Sequence, residues 1–286
     1  MKIAVLITCH NRKAKTVACL HALFANDLPK DYSLEIFLVD DGSTDGTEQA
    51  VRGSYPKVNI IKGDGNLYWN GGMRVAFAAA MEQGFDYYLW LNDDTLLYPT
   101  TIATLLKTEQ SIMFKQKLSA LIVGSTQDKP DGKTTYGGKK LVSQWHPLKY
   151  QQITPSDEPI SCDTMNGNCV LIPHSMTQVL GNLDEAFIHT IGDIDYGLRA
   201  RMNGFEILVM PGYAGLCSHN PIENSFSDKS LSLRERLNRL NGKKGLPLRA
   251  WRIFTKRHCG IFWIEFWLWP YLKVILSSII LKVGIK

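Results

Sequence analysis

The stretch Trp90-Leu91-Asn92-Asp93-Asp94-Thr95 decides how this chain folds, because an amide and two carboxylates close a run that reads as a buried strand. Asp86-Tyr87-Tyr88-Leu89-Trp90-Leu91 is short, aromatic and β-prone, and a helical pattern restarts over Thr100 to Lys107 behind the Pro99 break. Asn92 to Thr95 therefore falls on a loop at the carboxyl end of a strand. Acidic groups at a strand's exit are costly unless something cationic or polar needs them there. In open α/β sheets that edge is where ligands bind, and hard oxygen ligands there suit Mg²⁺ or Mn²⁺ bridging to a substrate's phosphates. An Asn/Asp turn capping the following helix is the competing reading. What else the chain brings to this edge decides between them.

Upstream, strands and helices alternate. Lys2 to Thr8 is a β-rich run, and Asn11 to Ala25 carries Ala14, Val17, Ala18, Leu20, Leu23 and Phe24 at helical spacing. Leu34 to Val39 reads as a second strand with a capped helix over Thr44 to Val51, and Val58 to Ile61 as a third with an alanine-rich helix over Asn70 to Gln83. Units of this length predict an α/β fold with a largely parallel sheet and helices on both faces. Beyond Thr108 the pattern loosens: Ala120 to Gly124 is strand-like, Ser125 to Pro159 is polar and rich in Gly and Pro, and helical signals return at Pro173 to Leu180 and Asp195 to Asn203. These later pieces are expected to build a second binding face over the same sheet edge.

Each of the three earlier strand ends also carries polar groups. After the first comes Thr8-Cys9-His10-Asn11-Arg12, and after the second Asp40-Asp41-Gly42-Ser43. An Asp there can accept hydrogen bonds from a nucleobase imide or a ribose hydroxyl, while Gly42 permits close backbone approach; a capping turn with Ser43 or Thr44 as N-cap is the alternative. After the third lies Gly63-Asp64-Gly65-Asn66-Leu67-Tyr68-Trp69-Asn70-Gly71-Gly72-Met73-Arg74. Two glycines opening a helix expose amides to an anion and Arg74 adds a fixed charge, so a pyrophosphate could rest there. The spacing fits neither the Walker nor the dinucleotide pattern. Tyr68 and Trp69 either stack on a sugar or base or simply pack.

At 286 residues and 45% hydrophobic content, with a formal charge of +5, the chain can bury one substantial core and does not read as disordered. The charge is concentrated: Arg234, Arg236, Arg239, Lys243, Lys244, Arg249, Arg252, Lys256 and Arg257 stand against the single acid Glu235. The chain beyond this block is apolar, with Ile261-Phe262-Trp263-Ile264, Phe266-Trp267-Leu268-Trp269 and Val274 to Leu281. Basic residues beside a Trp-rich apolar segment point to an anionic lipid surface rather than to nucleic acid. Glu265, Pro270 and Lys273 interrupt the tail, so no apolar run reaches the roughly 18 residues of a spanning helix. Lying in one leaflet is the expectation, and a terminal helical hairpin packed on the chain's own core is the alternative. The six cysteines, 9, 19, 162, 169, 217 and 259, lack the paired spacing of a zinc site, and with Lys2 leading straight into a strand they read as reduced cytosolic thiols.

Taken in order, these stretches resemble the family 2 inverting glycosyltransferases of the GT-A fold, especially bacterial enzymes of O-antigen, capsule and other surface-polysaccharide assembly, including rhamnosyl- and galactofuranosyl-type transferases. The resemblance rests on Thr8 to Arg12, Val39-Asp40-Asp41-Gly42-Ser43-Thr44-Asp45, Gly65-Asn66 through Gly71-Gly72, Leu91 to Asp94, Asn166-Gly167-Asn168-Cys169-Val170-Leu171-Ile172-Pro173, and Gly192-Asp193-Ile194-Asp195-Tyr196-Gly197-Leu198-Arg199. It covers about residues 3 to 220. It implies a GT-A domain over 1–225, with a nucleotide-sugar half (1–108) and an acceptor half (109–225); the tail beyond it, 226–286, is the segment whose composition points to a membrane surface.

The donor, a nucleotide-diphosphate sugar such as dTDP-rhamnose or a UDP-sugar, would lie along Thr8, Arg12, Asp40, Asp41, Asn66, Trp69, Gly71, Gly72, Asn92 and Asp93. The family's Asp-x-Asp metal motif is matched by Asn92-Asp93-Asp94 with Asn in first place, which leaves Asp94 as the direct ligand of Mg²⁺ or Mn²⁺; His219 matches a histidine that closes the metal site in some relatives, though a lone histidine is more often structural. Asp193 matches the catalytic base, although Gly192 stands where a Glu often precedes it. One carboxylate on the acceptor side takes the hydroxyl proton as oxygen attacks opposite the leaving diphosphate, and one displacement gives inversion. Asn166, Gly167, His189 and Asp195 would face a glycan or lipid-linked acceptor, Asp195 in support. The basic and aromatic tail would hold such an enzyme peripherally at the cytoplasmic face of the bacterial inner membrane. A sugar nucleotidyltransferase would need an amino-terminal glycine-rich triphosphate loop, which is not seen; a decayed nucleotide- or glycan-binding protein would explain Asn92 but not the retained Asp94 and Asp193.

Overall fold

The structure, a computed structural model, describes residues 1–283 apart from Gln144 and Pro221. The deciding strand, Tyr87–Leu91, is buried at every position. In chain order it is preceded by β1 (Lys2–Cys9), α1 (Lys13–Phe24), β2 (Ser33–Asp40), α2 (Thr47–Ser54), β3 (Asn59–Lys62) and α3 (Tyr68–Gln83), which makes it β4. After it come β5 (Leu96–Leu97), α4 (Thr101–Gln116), β6 (Ala120–Gln127), β7 (Thr134–Tyr136), β8 (Gly138–Leu141), β9 (Tyr150–Gln152), β10 (Ile160–Ser161), β11 (Thr164–Met165), β12 (Cys169–Pro173), α5 (His174–Leu180), α6 (Gly192–Met202) and β13 (Glu206–Leu216). Three helices close the described chain: α7 (Leu233–Asn241), α8 (Leu248–His258) and, after a 3-10 turn at Gly260–Phe262, α9 (Trp263–Val283).

The main sheet runs β10-β13-β6-β12-β4-β1-β2-β3. β1 pairs in parallel with β2 and β4, and β2 with β3, as the alternating pattern predicts. The carboxyl half departs from it: β12 enters antiparallel between β4 and β6, so the sheet is mixed rather than largely parallel. This insertion brings the start of β12 beside the end of β4, and the pairing continues past the strand as Asn92 N–H donates to Asn168 O at 3.0 Å. Apolar side chains bury both sheet faces, Leu89, Leu91 and Leu171 on one and Tyr88, Trp90 and Val170 on the other. Each large side chain so buried contributes about 1.5–3 kcal/mol.

Two local expectations are corrected. Neither Ser43 nor Thr44 caps the second helix: Gly46 takes a left-handed φ of 82°, and the Asp45 carboxylate accepts from Thr47 N at 3.1 Å. Ser43 Oγ instead accepts from Asn11 N at 2.9 Å, and Thr44 N donates to Asn11 Oδ1 at 2.7 Å, which ties the first two strand-end loops together. The third helix begins at Tyr68, two residues before the Asn70 expected from its alanine pattern.

The tail folds onto the rest of the chain through a separate apolar cluster, in which Ala250, Trp251 and Phe254 of α8 pack with Phe187 and against Ile191, Ile194 and Leu198. Trp251 Nε1 donates to Phe266 O at 3.1 Å, joining α8 to α9. Among the described residues no helix is long and apolar enough to cross a membrane. All six cysteines are buried and unpaired with one another.

Candidate functional site

Asp93 is the most confined acid at the β4 edge, only 5% exposed. Desolvation lifts its pKa to about 6, and the adjacent Asp94 adds to the rise while Arg12 opposes it. The Arg12 guanidinium bridges the two carboxylates, 2.9 Å from Asp93 Oδ1 and 3.0 Å from Asp94 Oδ2, and Lys15 stands 3.6 Å from the same Asp94 oxygen. Asp93 Oδ2 is buried with no hydrogen-bond partner among the described residues. Arg12, expected beside a nucleoside, is therefore the counter-charge of the acidic pair. This is the cationic partner that strand-end acids require. Cys217 Sγ lies 3.6 Å from Asp94 Oδ1, and burial, reinforced by Asp94, pushes its thiol up to about 12, so it stays neutral.

Asn92 turns the other way. Its Oδ1 accepts the indole N–H of Trp69 at 2.7 Å. That ring meets Trp90 edge to face, and it packs so tightly over Gly167 that a Cβ there would lie 2.5 Å from the indole and 3.3 Å from Asp193 Cβ. Trp69 thus links the β4 loop to the loop holding Asp193. Asp193, in the first turn of α6, accepts from Gly167 N at 2.9 Å through Oδ2 and from Ile194 N at 2.8 Å through Oδ1. Burial raises its pKa, against the opposing pull of those two amides and of Lys139. A partly buried carboxylate with a raised pKa is poised to take a proton. Asn166 lies beside it, its Oδ1 buried without a partner among the described residues.

The glycine and aspartate loops behave differently from their sequence reading. Asp41 accepts from Gly65 N at 2.8 Å and from Tyr68 N at 3.0 Å, one with each carboxylate oxygen, so it shapes the loop instead of presenting itself to a nucleoside. Asp40 accepts from Ser43 N at 2.9 Å and is 5% exposed. Gly71 and Gly72 do not form an open anion cradle: Asn70 N and Gly71 N both donate to Ile188 O, at 3.1 and 3.3 Å, and a Cβ on Gly72 would overlap Thr8 Oγ1. Gly72 is there for helix-to-strand contact. Arg74 donates to Leu183 O at 3.1 Å and pairs with Glu185, so it is not a phosphate contact here. Asn66 is exposed, its Oδ1 3.2 Å from Lys243 Nζ.

Asp195, expected in support of the acceptor, has no exposed surface. Arg199, Arg257 and His258 surround it at 2.9, 2.6 and 2.8 Å. Burial by itself would raise its pKa, but the His258 hydrogen bond and the two guanidinium charges outweigh that and hold it below the ordinary value. It is a clamp between α6 and α8 and cannot reach an acceptor. Gly192 also has a steric reason: a Cβ there would overlap Asn70 Oδ1, leaving no room for the glutamate the family often carries.

His219 is exposed and packs edge-on against Tyr136 at 5.2 Å. Among the described residues no set of three or more His, Cys, Asp or Glu could hold a metal, so His219 does not complete a protein-only cage with Asp94. His189 accepts from Trp69 N at 3.4 Å, and desolvation, with Lys244 and Arg12 nearby, drives its pKa down to about 4. Lys15, Lys139, Cys217, Lys243 and Lys244 were not legible as site residues; only the topology brings them here.

Residues 4–177 match the model of glycosyl transferase family 2. Among curated proteins, the chain is 24% identical over 210 residues to an N-acetylglucosaminyl-diphospho-decaprenol L-rhamnosyltransferase of Mycobacterium tuberculosis, covering 64% of this chain and 66% of the relative. It thus spans just under two thirds of that relative's length. It is 32% identical over 107 residues, 36% of its own length and 34% of the relative's, to an uncharacterised glycosyltransferase of Mycoplasma pneumoniae. Among solved structures, S. aureus TarS 1-349 in complex with UDP aligns with a TM-score of 0.53 at 17% identity, over 90% of this chain and 70% of that one. A Pyrobaculum calidifontis mannosyltransferase in complex with GDP-Man and Mn²⁺ aligns with 0.56 at 13%, over 99% and 75%. These likenesses confirm the GT-A-like α/β fold, and the matched span holds the whole strand-end constellation from Thr8 to Asp94: the chain belongs to glycosyl transferase family 2.

Proposed function

We propose that this chain is an inverting glycosyltransferase that moves a sugar, rhamnose or another hexose, from a nucleotide-diphosphate donor to a glycan or lipid-linked acceptor of bacterial surface polysaccharide. The observation that carries the reading is the pairing of two acid sites across Trp69: Asn92-Asp93-Asp94 with Arg12 on one side, and Asp193 with a raised pKa on the other. The rhamnosyltransferase activity of the M. tuberculosis relative favours dTDP-rhamnose as the first donor to try, and the UDP of the TarS complex favours UDP-sugars as the second.

In this reading the acceptor hydroxyl attacks the anomeric carbon on the face opposite the diphosphate. Asp193 takes the hydroxyl proton, the new glycosidic bond forms as the bond from carbon to phosphate oxygen breaks, and the diphosphate departs with the electron pair. Gly167 N–H and the Trp69 ring fix the carboxylate, while Arg12 and Lys15 supply positive charge near the leaving side. The donor set suits a hard divalent ion held largely by substrate oxygens and water, since Asp94 offers one partly buried carboxylate, paired here with Arg12 and Lys15, and Mg²⁺ typically takes one or two carboxylates plus phosphates. Asp94 would hold that ion, which would neutralise the departing diphosphate. The exposed apolar face of the carboxyl-terminal helices supports peripheral attachment to the cytoplasmic face of the inner membrane.

The test is a transfer assay with dTDP-rhamnose and a panel of UDP-sugars on short lipid-linked acceptors, with anomeric configuration read by NMR. Inverted product from any of these donors supports the reading. Retained configuration overturns the single displacement, and absence of transfer with donors that bind overturns the enzyme reading.

A further inference from the structure

The turn between α7 and α8 folds back over the site. Gly245 N donates to Gly242 O and Leu246 N to Leu240 O, closing a tight turn in which a Cβ on Gly245 would overlap the carbonyls of Arg239 and Leu240. It is tied down twice more, by Thr190 Oγ1 donating to Gly245 O at 2.6 Å and by Tyr271 of α9 donating to Leu246 O. A turn held this firmly presents its tip in a defined place. At that tip stand Lys243 and Lys244, both exposed.

Neither lysine forms an ion pair among the described residues. Lys243 sits 5.0 Å over the Tyr68 ring and 3.2 Å from Asn66 Oδ1, both on the loop that opens α3. Lys244 lies close enough to His189 to oppose its protonation, together with Arg12. His189 in turn accepts from the backbone of Trp69, the residue that links the two halves of the site. The two ammonium groups thus stand without carboxylate partners beside an aromatic and an uncharged imidazole, while the carboxylates of the facing loop, Asp41 and Asp64, are engaged by the backbone amides of Gly65, Asn66 and Tyr68. Unpaired ammonium groups that can swing on long stems are suited to phosphate oxygens, which they meet as point charges.

We propose that Lys243 and Lys244 form a diphosphate-binding site, contributed by the carboxyl-terminal segment to the Asn66–Trp69 and His189 side of the cleft. The inference rests on the glycosyltransferase reading for its two sources of that chemistry: the diphosphate of the donor nucleotide, or a diphosphate that links the acceptor glycan to its lipid. The carboxyl-terminal segment is then part of the substrate site as well as a candidate membrane contact.

The test is calorimetric binding of inorganic pyrophosphate, UDP, dTDP and farnesyl diphosphate to the full chain at low salt. Wild type is compared with K243A/K244A and, as a control on a distant exposed lysine of α4, with K107A. Because both lysines are exposed, the double variant is expected to keep its melting temperature, which is measured alongside. A loss of about tenfold or more for pyrophosphate in the double variant, with K107A unchanged, supports the site. A parallel loss for UDP or dTDP identifies the donor as the source; a parallel loss for farnesyl diphosphate alone identifies the acceptor. Affinities within about twofold of wild type for every probe, or a wild-type chain that binds none of them, overturn the proposal. A chain that binds pyrophosphate through these lysines but transfers no sugar would sink the transfer reading and leave the site standing.

Discussion

Trp69 donates its indole N–H to Asn92 Oδ1 at 2.7 Å, and this bond explains how an amide can stand first in the strand-end motif. The position needs an acceptor for an indole, which Asn provides without adding a third negative charge to Asp93 and Asp94. Replacing Trp69 by Phe removes the donor, leaves Asn92 Oδ1 without its partner and loosens the ring packed on Gly167. A partly buried acceptor stranded in this way costs about 1 kcal/mol, the low end of the range for buried groups. W69F is expected to lower the melting temperature and to reduce kcat/KM, and wild-type values in both measurements would deny the bond any role in joining the two halves of the site.

Asp193→Asn is the sharper chemical test. The amide oxygen can still accept from Gly167 N, so the fold is expected to persist, yet the group can no longer take a proton. Loss of a general base costs about a hundredfold to ten-thousandfold in rate. The raised pKa, caused by burial, gives the pH profile a direction: only ionised Asp193 is active, so kcat/KM rises with pH through a midpoint shifted upward from that of an ordinary aspartate and then levels off. Residual activity of D193N is expected to lack that limb. Full activity in D193N would move the base elsewhere.

A divalent ion held by Asp94 would have to compete with Arg12, which lies 3.0 Å from Asp94 Oδ2. Arg12→Gln removes the resident cation, and Mn²⁺ titrated without nucleotide is expected to bind about tenfold more tightly, while Asp94→Ala abolishes the effect. Electron paramagnetic resonance of free Mn²⁺ reads both. Equal affinity in wild type and R12Q would remove Asp94 as the metal contact.

Asp195 governs stability rather than chemistry. Its folded-state pKa is lowered, so the stability it contributes is present above the unfolded value of about 4 and is lost as pH falls through the folded value. Urea denaturation of wild type is therefore expected to weaken steeply below about pH 4. Asp195→Ala removes the carboxylate that Arg199, Arg257 and His258 share, leaving Arg257 to Asp184 and Arg199 to the carbonyls of Leu180 and Asn182, and is expected to cost about 3 kcal/mol at neutral pH. A D195A chain as stable as wild type, with an unchanged acid limb, would contradict the clamp.

The parallel half of the sheet was legible because alternating β and α units leave a period and a punctuation in the sequence, from Lys2 through Leu91. Asp193 was singled out by its match to a family pattern, not by any local period. What remained unreadable depends on distance in space. The antiparallel entry of β12 is set by which strand Cys169–Pro173 pairs with, and local propensity is silent on that. Asp41 and Asp195 were legible as polar positions, but only the fold shows that backbone amides engage the oxygens of the one and that guanidinium groups enclose the other. The amide of Gly71 was misread for the same reason, the carbonyl of Ile188 arriving from more than a hundred residues away.

The helical tail offers a choice between packing and membrane contact that the structure lets one separate. α9 turns Val274 and Ser278 inward at 4% and 8% exposure, while Ile261 ahead of it stands 86% exposed and Leu268, Trp269, Leu272, Leu276 and Ile279 are open along its outer side. Their spacing of three, four and seven residues keeps them on adjoining faces of one helix. Exposed Arg249, Arg252 and Lys256 on α8 lie in the preceding helix, with Arg252 over the rings of Trp263 and Trp267 at 5.9 and 6.0 Å. Truncating the tail would also remove Arg257 and His258 from Asp195, so loss of binding in a truncation would be uninformative. Substituting only outward residues avoids this: I261E/L268E/L272E is expected to keep the wild-type melting temperature and to lose cosedimentation with vesicles containing anionic lipid. Each apolar side chain withdrawn from the interface removes area that drives binding, and each added carboxylate is repelled by the anionic surface. Undiminished cosedimentation of this variant, with its fold intact, would assign the outer face of α9 to something other than lipid.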